Sequence, residues 1–311
     1  TFESGEVGGV GSSYLGDANG DGLDDTRVEG SVFFAPFSGT YQPWDGDLIL
    51  DWGMATSMQA ADLDGDGDMD LVAGHYGRDE AVFLPGPLLG PILDTTNAAT
   101  VTANPNFGWS LTTLVNDGAA TTVVYGGDNR VYVVDGLPPP GTSTASQELP
   151  VGDLFQPPTF MLGESIVSDG VNRLCISDSA GGGPEAVCGT LDDLMAGTVT
   201  EWFGPPLTGA SRWLAVTPDL WAAAGPATEV NGEPLAGRVE VRGPNGNWTF
   251  SYDNGAPSIS FGKGIALLAD RPRNITWLAV TAPNENLGKP GGAEGAVYLF
   301  PLDVPPSPRR R

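Results

Sequence analysis

Asp62-Leu-Asp-Gly-Asp-Gly-Asp-Met-Asp70 runs directly into the apolar stretch Leu71-Val72-Ala73-Gly74. Five carboxylates in nine residues repel one another unless a cation sits among them. Asp62, Asp64, Asp66 and Asp70 fall at positions 1, 3, 5 and 9, the main-chain carbonyl of Asp68 falls at position 7, and Gly65 and Gly67 permit a tight turn. That all-oxygen donor set suits a hard cation such as Ca²⁺. An EF-hand would place Glu at position 12, where this chain has Val72 inside a β-type run. The stretch therefore reads as a calcium loop between two strands. A second copy, Asp17-Ala-Asn-Gly-Asp-Gly-Leu-Asp-Asp25, sets Asp17, Asn19, Asp21 and Asp25 at the same four positions, with the Leu23 carbonyl at position 7. Two copies lead to an expectation of two structural Ca²⁺ ions, against the blander alternative of two solvated acidic turns.

Outward from these loops the chain reads as all-β. Of 311 residues, 45 are Gly and 27 Pro, and Lys occurs only at Lys263 and Lys289. No long apolar stripe recurs at helical period, whereas Thr122-Val-Val-Tyr125 and Arg130-Val-Tyr-Val-Val134 read as strands. With 40% hydrophobic residues the chain can build a core, so its Gly and Pro mark turns. The net charge of −25 argues against nucleic acid, because phosphate neutralisation needs clustered Lys and Arg, and three of the fourteen basic residues are the terminal Arg309-Arg310-Arg311. No apolar run is long enough for a membrane span. The start at Thr1 leads to an expectation of excision from a longer precursor. Calcium loops and the two cysteines, Cys175 and Cys188, lead to an expectation of secretion or surface exposure.

A repeat runs through the whole length. An apolar residue followed by Gly recurs at Val10-Gly11, Trp52-Gly53, Phe107-Gly108, Leu162-Gly163, Phe203-Gly204 and Phe261-Gly262. Each leads into a strand, a turn and a second strand. Those second strands end in small residues at Ala73-Gly74-His75, Gly126-Gly127-Asp128, Ala224-Gly225-Pro226 and Thr281-Ala282-Pro283. Third strands follow at Gly30–Phe34, Ala81–Leu84, Arg130–Val134, Glu185–Cys188, Gly237–Val241 and Gly295–Phe300. Fourth strands can be placed at Asp47–Leu50, Ala99–Thr102, Gln147–Val151, Thr198–Trp202 and Trp248–Tyr252, but not after Phe300.

Phe-Gly, a calcium loop, Gly-Ala-Pro and Gly-Ala-Val-Tyr together resemble the FG-GAP repeat of integrin α-subunit β-propellers and their bacterial relatives. Repeat 6 carries most of the pattern, as Phe261-Gly262, Thr281-Ala-Pro283 and Gly295-Ala-Val-Tyr298, while repeats 1 and 2 carry the loops. The resemblance implies a single β-propeller over residues 1–304, with a Pro/Arg-rich tail at 305–311. Six four-stranded blades are expected, with seven as the alternative. Thr1-Phe-Glu-Ser4 would supply the missing outer strand beside Val297–Phe300 and close the ring, removing exposed sheet edges. It also implies that the turns between second and third strands share one face. The longest of these, Gly225–Gly237 and Pro283–Gly295, make Glu229, Asn231, Glu233, Asn284, Glu285, Asn286 and Lys289 the candidate partner-binding residues, since recognition concentrates on long loops carried by rigid scaffolds.

Other candidates for chemistry are sparse. Repeats 3 to 6 have too few carboxylates in their first turns to cage a metal. His75, the single histidine, lies past a second strand with no nucleophile elbow before it, so a strand-end role is favoured over catalysis. Trp52, Trp202, Trp213, Trp221, Trp248 and Trp277 lie in or beside strands and read as packing, whereas Phe37, Tyr41 and Trp44 lie in a connector that either binds a ligand or folds back over its blade. Asn247-Trp-Thr249 and Asn274-Ile-Thr276 match the glycosylation sequon. Cys175 and Cys188 sit symmetrically about Gly181-Gly182, so a hairpin turning there would face them for a disulfide; the alternative is two buried thiols. The expected function is a calcium-stabilised binding or adhesion module for an extracellular protein or carbohydrate, with binding favoured over catalysis. A subunit of an extracellular filament or coat, joined through copies of itself, and an enzyme acting on extracellular polysaccharide are the alternatives.

Overall fold

Short β-branched and apolar runs punctuated by Gly, Pro and Asp pair with their immediate chain neighbours, and the result is an all-β chain of small antiparallel sheets. The computed structural model describes residues 12–21, 23, 25–28, 31–36, 45–49, 57–88, 98–116, 119–126, 130–145, 147–150, 162–178, 186–203, 213–225, 228–231, 236–244, 246–251, 261–262, 264–270, 275–282 and 296–302. The chain divides into two compact units, Thr1–Leu149 and Pro150–Arg311.

In the first unit, sheet one holds β1 (Ser12–Gly16), β2 (Asp25–Val28), β3 (Ser31–Phe33) and β4 (Leu48–Ile49) in that order. Sheet two holds β5 (Ser57–Ala61), β6 (Asp70–His75), β7 (Glu80–Leu84) and β8 (Ala99–Thr102). Sheet three holds β9 (Leu111–Asn116), β10 (Ala119–Gly126), β11 (Arg130–Asp135) and, after an excursion, β13 (Gln147–Leu149). The first strands β1, β5 and β9 lie side by side, so each sheet packs face to face on the next. Leu15, Ala18, Val32 and Leu48 of sheet one meet Met58, Leu71, Ala73, Val82 and Leu84 of sheet two. The opposite face of sheet two, with Val72, Ala81, Phe83 and Val101, meets Phe107, Leu111, Ala120, Val124 and Tyr132.

The excursion is β12 (Gly141–Thr144), and it departs from the expectation of four strands per sheet. After β11 the chain crosses to sheet two and pairs in parallel with β8, Gly141 opposite Ala99 and Thr144 opposite Thr102, giving that sheet five strands. Gly141 N–H donates to the Ala98 carbonyl and Ala145 N–H to the Thr102 carbonyl, so main-chain hydrogen bonds hold a segment whose side chains are all exposed. Thr102 Oγ1 also donates to the Ser143 carbonyl, and Leu137 and Ala145 on either side of the strand pack on the core.

In the second unit, sheet four holds β14 (Leu162–Ser168), β15 (Arg173–Asp178), β16 (Ala186–Thr190) and β17 (Glu201–Phe203), with a five-residue helix, α1 (Leu191–Met195), inserted before β17. Sheet five holds β18 (Trp213–Val216), β19 (Trp221–Gly225), β20 (Arg238–Gly243) and β21 (Gly246–Ser251). Sheet six holds β22 (Ile265–Asp270), β23 (Ile275–Ala282) and β24 (Ala296–Leu302), with no fourth strand among the described residues. Alternation along β24 buries one side against sheet five and leaves Val297 66% and Leu299 57% exposed on the other. Thr1–Ser4, Val10-Gly11, Trp52-Gly53 and the connector carrying Phe37, Tyr41 and Trp44 lie outside the described residues.

Cys175 and Cys188 are direct partners across β15 and β16 and form a buried disulfide, packed with Leu214, Trp221 and Ala223 of sheet five. Replacing both with Ala is expected to cost about 3 kcal/mol, because the bridge closes a loop of thirteen residues' separation and so restricts the unfolded chain; urea midpoints of the variant and the oxidised parent measure it.

The Phe-Gly pairs are where neighbouring sheets touch most closely. Phe107 is fully buried, edge-on to Tyr132, and Gly108 (φ +87°) lies against Gly74, the His75 amide and the Glu80 carbonyl, with Ser57 Oγ donating to its own carbonyl. Phe261 repeats the arrangement between sheets five and six: its N–H donates to the Ala236 carbonyl, its ring meets Tyr298 and Phe300, and Gly237 (φ +90°) has room for no Cβ beside the Phe261 carbonyl. Gly74 near the end of β6 and Gly237 just before β20 therefore admit the next repeat's backbone.

Candidate metal centre

Position 9 of each loop opens a second strand and is the innermost acid of its sheet: Asp25 and Asp70 are each 1% exposed. Asp70 Oδ2 accepts from Leu63 N–H at 2.7 Å, and its Oδ1 accepts from Gly86 N–H at 2.7 Å. Asp25 does the same, with Oδ2 accepting from Ala18 N–H and Oδ1 from Ala35 N–H, both at 2.8 Å. In both repeats the residue whose N–H donates to Oδ1 is followed by a cis proline, Pro36 or Pro87. Position 2 is also buried in both: Ala18 is set in the core between sheets one and two and Leu63 in that between sheets two and three. The loops are thus plugged into the cores by one apolar side chain and pinned by one carboxylate, a construction a freely solvated turn does not need.

The outer part of the sheet-two loop bends around its own carboxylates. Asp62 accepts from Gly65 and Gly67 N–H, Asp64 from Asp66 N–H and Asp66 from Asp68 N–H, while Gly65 (φ +80°) and Gly67 (φ +95°) take the left-handed turns. One side-chain oxygen from each of Asp62, Asp64 and Asp70 lies within 4.8 Å of the others; Asp66 and Asp68 are exposed and stand outside that group. In the sheet-one loop, Asn19 and Asp21 are bonded to each other instead. Asn19 Nδ2 donates to Asp21 Oδ2 and Asn19 Oδ1 accepts from Asp21 N–H, with Leu23 N–H donating to Asp21 Oδ1 and Leu23 itself exposed. Asp17 is half-buried beside them.

Burial raises the Asp70 carboxyl above its ordinary 3.8, the Gly86 and Leu63 amides pull it back, and the charges of Asp64 and Asp66 raise it again. Burial raises Asp25 likewise, against the Ala35, Ala18 and Asn19 amides and with Asp21 adding to the rise. A carboxyl raised in the folded state binds its proton more tightly there than in the unfolded chain, so without a counter-charge its stabilising contribution falls as pH rises above 3.8. A divalent cation would supply that counter-charge. The donors are all oxygen, include three converging carboxylates, and fit Ca²⁺.

Among the described residues, the first turns of sheets four and five close without carboxylate clusters. In sheet four Asp169 Oδ1 alone accepts from the amides of Val171, Asn172 and Arg173. In sheet five Thr217 Oγ1 accepts from Leu220 N–H, and Thr217 N–H donates to the Leu220 carbonyl. His75 is half-buried at the end of β6, and its Nδ1 is enclosed with no hydrogen-bond partner among the described residues. Of the loop residues singled out for partner binding, Glu229 and Asn231 are exposed, above a base closed by Gly237 N–H to the Thr228 carbonyl. Glu233, Asn284, Glu285, Asn286 and Lys289 lie outside the described residues. No helix among the described residues is long and apolar enough to cross a membrane.

No family model matches the chain, and no curated protein matches it. Among solved structures it is similar to Kuenenia stuttgartiensis hydrazine synthase at 12% identity and TM-score 0.47, covering 74% of this chain and 64% of that one. It is similar to BBS1N, solved in complex with ARL6DN, at 12% identity and TM-score 0.47, covering 87% and 75%. A tail fiber of a Staphylococcus aureus phage matches at 11% identity and TM-score 0.36, covering 78% and 46%.

Proposed function

We propose that the chain is a calcium-stabilised β-propeller of the FG-GAP type, secreted or surface-exposed, that binds an extracellular protein or carbohydrate. The observation that carries this reading is the repeated unit itself. Sequential meander sheets stack through their first strands within each unit, and the Phe-Gly turn sits on the small-residue end of the preceding sheet in both. Closure of six blades by Thr1–Ser4 beside β24 would complete sheet six, which has three strands among the described residues. Two Ca²⁺ ions take Asp17, Asn19, Asp21, the Leu23 carbonyl and Asp25, and Asp62, Asp64, Asp66, the Asp68 carbonyl and Asp70. The disulfide agrees with an oxidising compartment.

A rigid ring with loops of unequal length places recognition on the long ones, here Gly225–Gly237 and Pro283–Gly295. Replacing both with short Gly-containing turns is expected to abolish binding to the partner found on a glycan and extracellular-protein array, leaving calcium-dependent melting intact. Binding that survives the replacement would remove these loops from the site. Calcium-independent self-assembly on size-exclusion chromatography, with no array ligand, would favour the filament or coat subunit instead.

A further inference from the structure

Asp25 and Asp70 each serve two segments with one planar carboxylate: Oδ2 holds the loop, and Oδ1 holds the residue where the chain leaves the third strand, Ala35 after β3 and Gly86 after β7. We infer that these two aspartates relay cation occupancy of the loops to the third-strand exits, so that the chain leaving β3 and β7 is held firmly only when the loop is filled. The inference rests on the calcium reading above.

Three observations carry it. First, the exit is built against the loop: a Cβ on Gly86 would lie 2.6 Å from the Met69 carbonyl oxygen and 3.0 Å from the Asp68 Cβ, so loop and exit cannot move independently. Second, the exit matters to the core, because Leu88, two residues beyond Gly86, is buried among Leu15, Val32, Met58, Leu71 and Leu84. Third, sheet three, which has no acidic loop, satisfies its exit differently. Gly136 N–H, leaving β11, donates to the main-chain carbonyl of Ala120. Ala35 and Gly86 lie two residues past their strands, whereas Gly136 directly follows β11 and extends its ladder with β10; the carboxylate link is found in the two repeats that carry a loop, and Gly136 is a reference amide in a sheet without one.

The physical step is simple. With Asp62 and Asp64 oxygens within 4.8 Å of Asp70, an empty loop relieves repulsion by opening or by turning the Asp70 carboxylate. Its two oxygens belong to one rigid plane, so turning to follow the loop releases the exit amide. Both exit residues are part-buried, so an exit amide that has lost its acceptor is satisfied by water as the exit opens.

Amide hydrogen exchange of the full chain tests this. Gly86 lies between Pro85 and Pro87, which have no N–H, so a short peptide reports it cleanly. In millimolar calcium the Ala35 and Gly86 amides should exchange roughly tenfold or more slowly than in EGTA, with Gly136 unchanged. Asp70→Asn should make Gly86 fast and calcium-insensitive while Ala35 keeps its response, and Asp25→Asn should do the reverse. Calcium binding by calorimetry with no change at Ala35 or Gly86 would overturn the relay and leave the calcium reading standing. Acceleration of Gly136 by the same factor would also overturn it, since occupancy would then act on the fold as a whole. Absence of any calcium binding would overturn both.

Discussion

Gly108→Ala is expected to lower stability by about 3 kcal/mol or more, whereas Gly197→Ala should cost about 1 to 2 kcal/mol. Both glycines have positive φ, +87° and +70°, so both variants bear the strain of placing an L-residue in the left-handed region. They differ in what the new methyl meets. At Gly197, beyond the end of α1, nothing lies within 4 Å. At Gly108 the methyl runs into the Glu80 carbonyl and lies 2.8 Å from the His75 amide nitrogen and 3.1 Å from the Gly74 Cα. All three are backbone atoms of sheet two, which no rotamer change can move aside. The sheets must separate, and Phe107 is then pulled from its cavity beside Tyr132. Urea midpoints for the two variants read the difference. Equal losses would mean that the Phe-Gly turn does not sit on the end of β6 as described.

What was legible in the sequence follows from where each element obtains its stability. Thr122–Tyr125 lies inside β10, Arg130–Val134 inside β11, and the expected third and fourth strands coincide with β3, β4, β7, β8, β13, β16, β17, β20, β21 and β24 to within about three residues at their starts and two at their ends, because short apolar runs bounded by turn residues mark them. The pairing of Cys175 with Cys188 was legible from their symmetry about Gly181-Gly182. β12 was not, since Gly141-Thr-Ser-Thr144 buries no side chain and gains its place from the β8 backbone. α1 is too short to show a helical period. Its signal was a cap, Thr190 Oγ1 accepting from Asp193 N–H, which reads equally well as a turn. The second task of Asp25 and Asp70 joins residues 10 and 16 positions apart through main-chain amides, and amides carry no sequence identity.

Chelation of calcium is expected to lower the midpoint of global unfolding, which local opening at an amide such as Gly136 under native conditions does not report. A ligand bound only by the folded state stabilises it by about 2.7 kcal/mol per site at a hundredfold excess over Kd. Two such sites, at about 2 °C per kcal/mol in a chain of this size, make the expected fall in Tm on adding EGTA roughly 10 °C. Magnesium should restore little of it, since Mg²⁺ demands near-octahedral geometry and gives up its water reluctantly. The variants Asp64→Ala and Asp70→Ala separate the metal's contribution from the protein's own. In calcium both should destabilise, because each removes a ligand. In EGTA they should part company. Asp64 is exposed and accepts only locally, from the Asp66 amide, so its loss relieves repulsion and leaves stability unchanged or slightly higher. Asp70 is buried and accepts from Leu63 and Gly86, so its loss strands two amides at about 1 to 3 kcal/mol each, with or without metal. If EGTA lowers the Tm of Asp64→Ala and the parent by the same amount, the sheet-two loop contributes no calcium site. If Asp70→Ala is as stable in EGTA as Asp64→Ala, the buried aspartate is a ligand and nothing more.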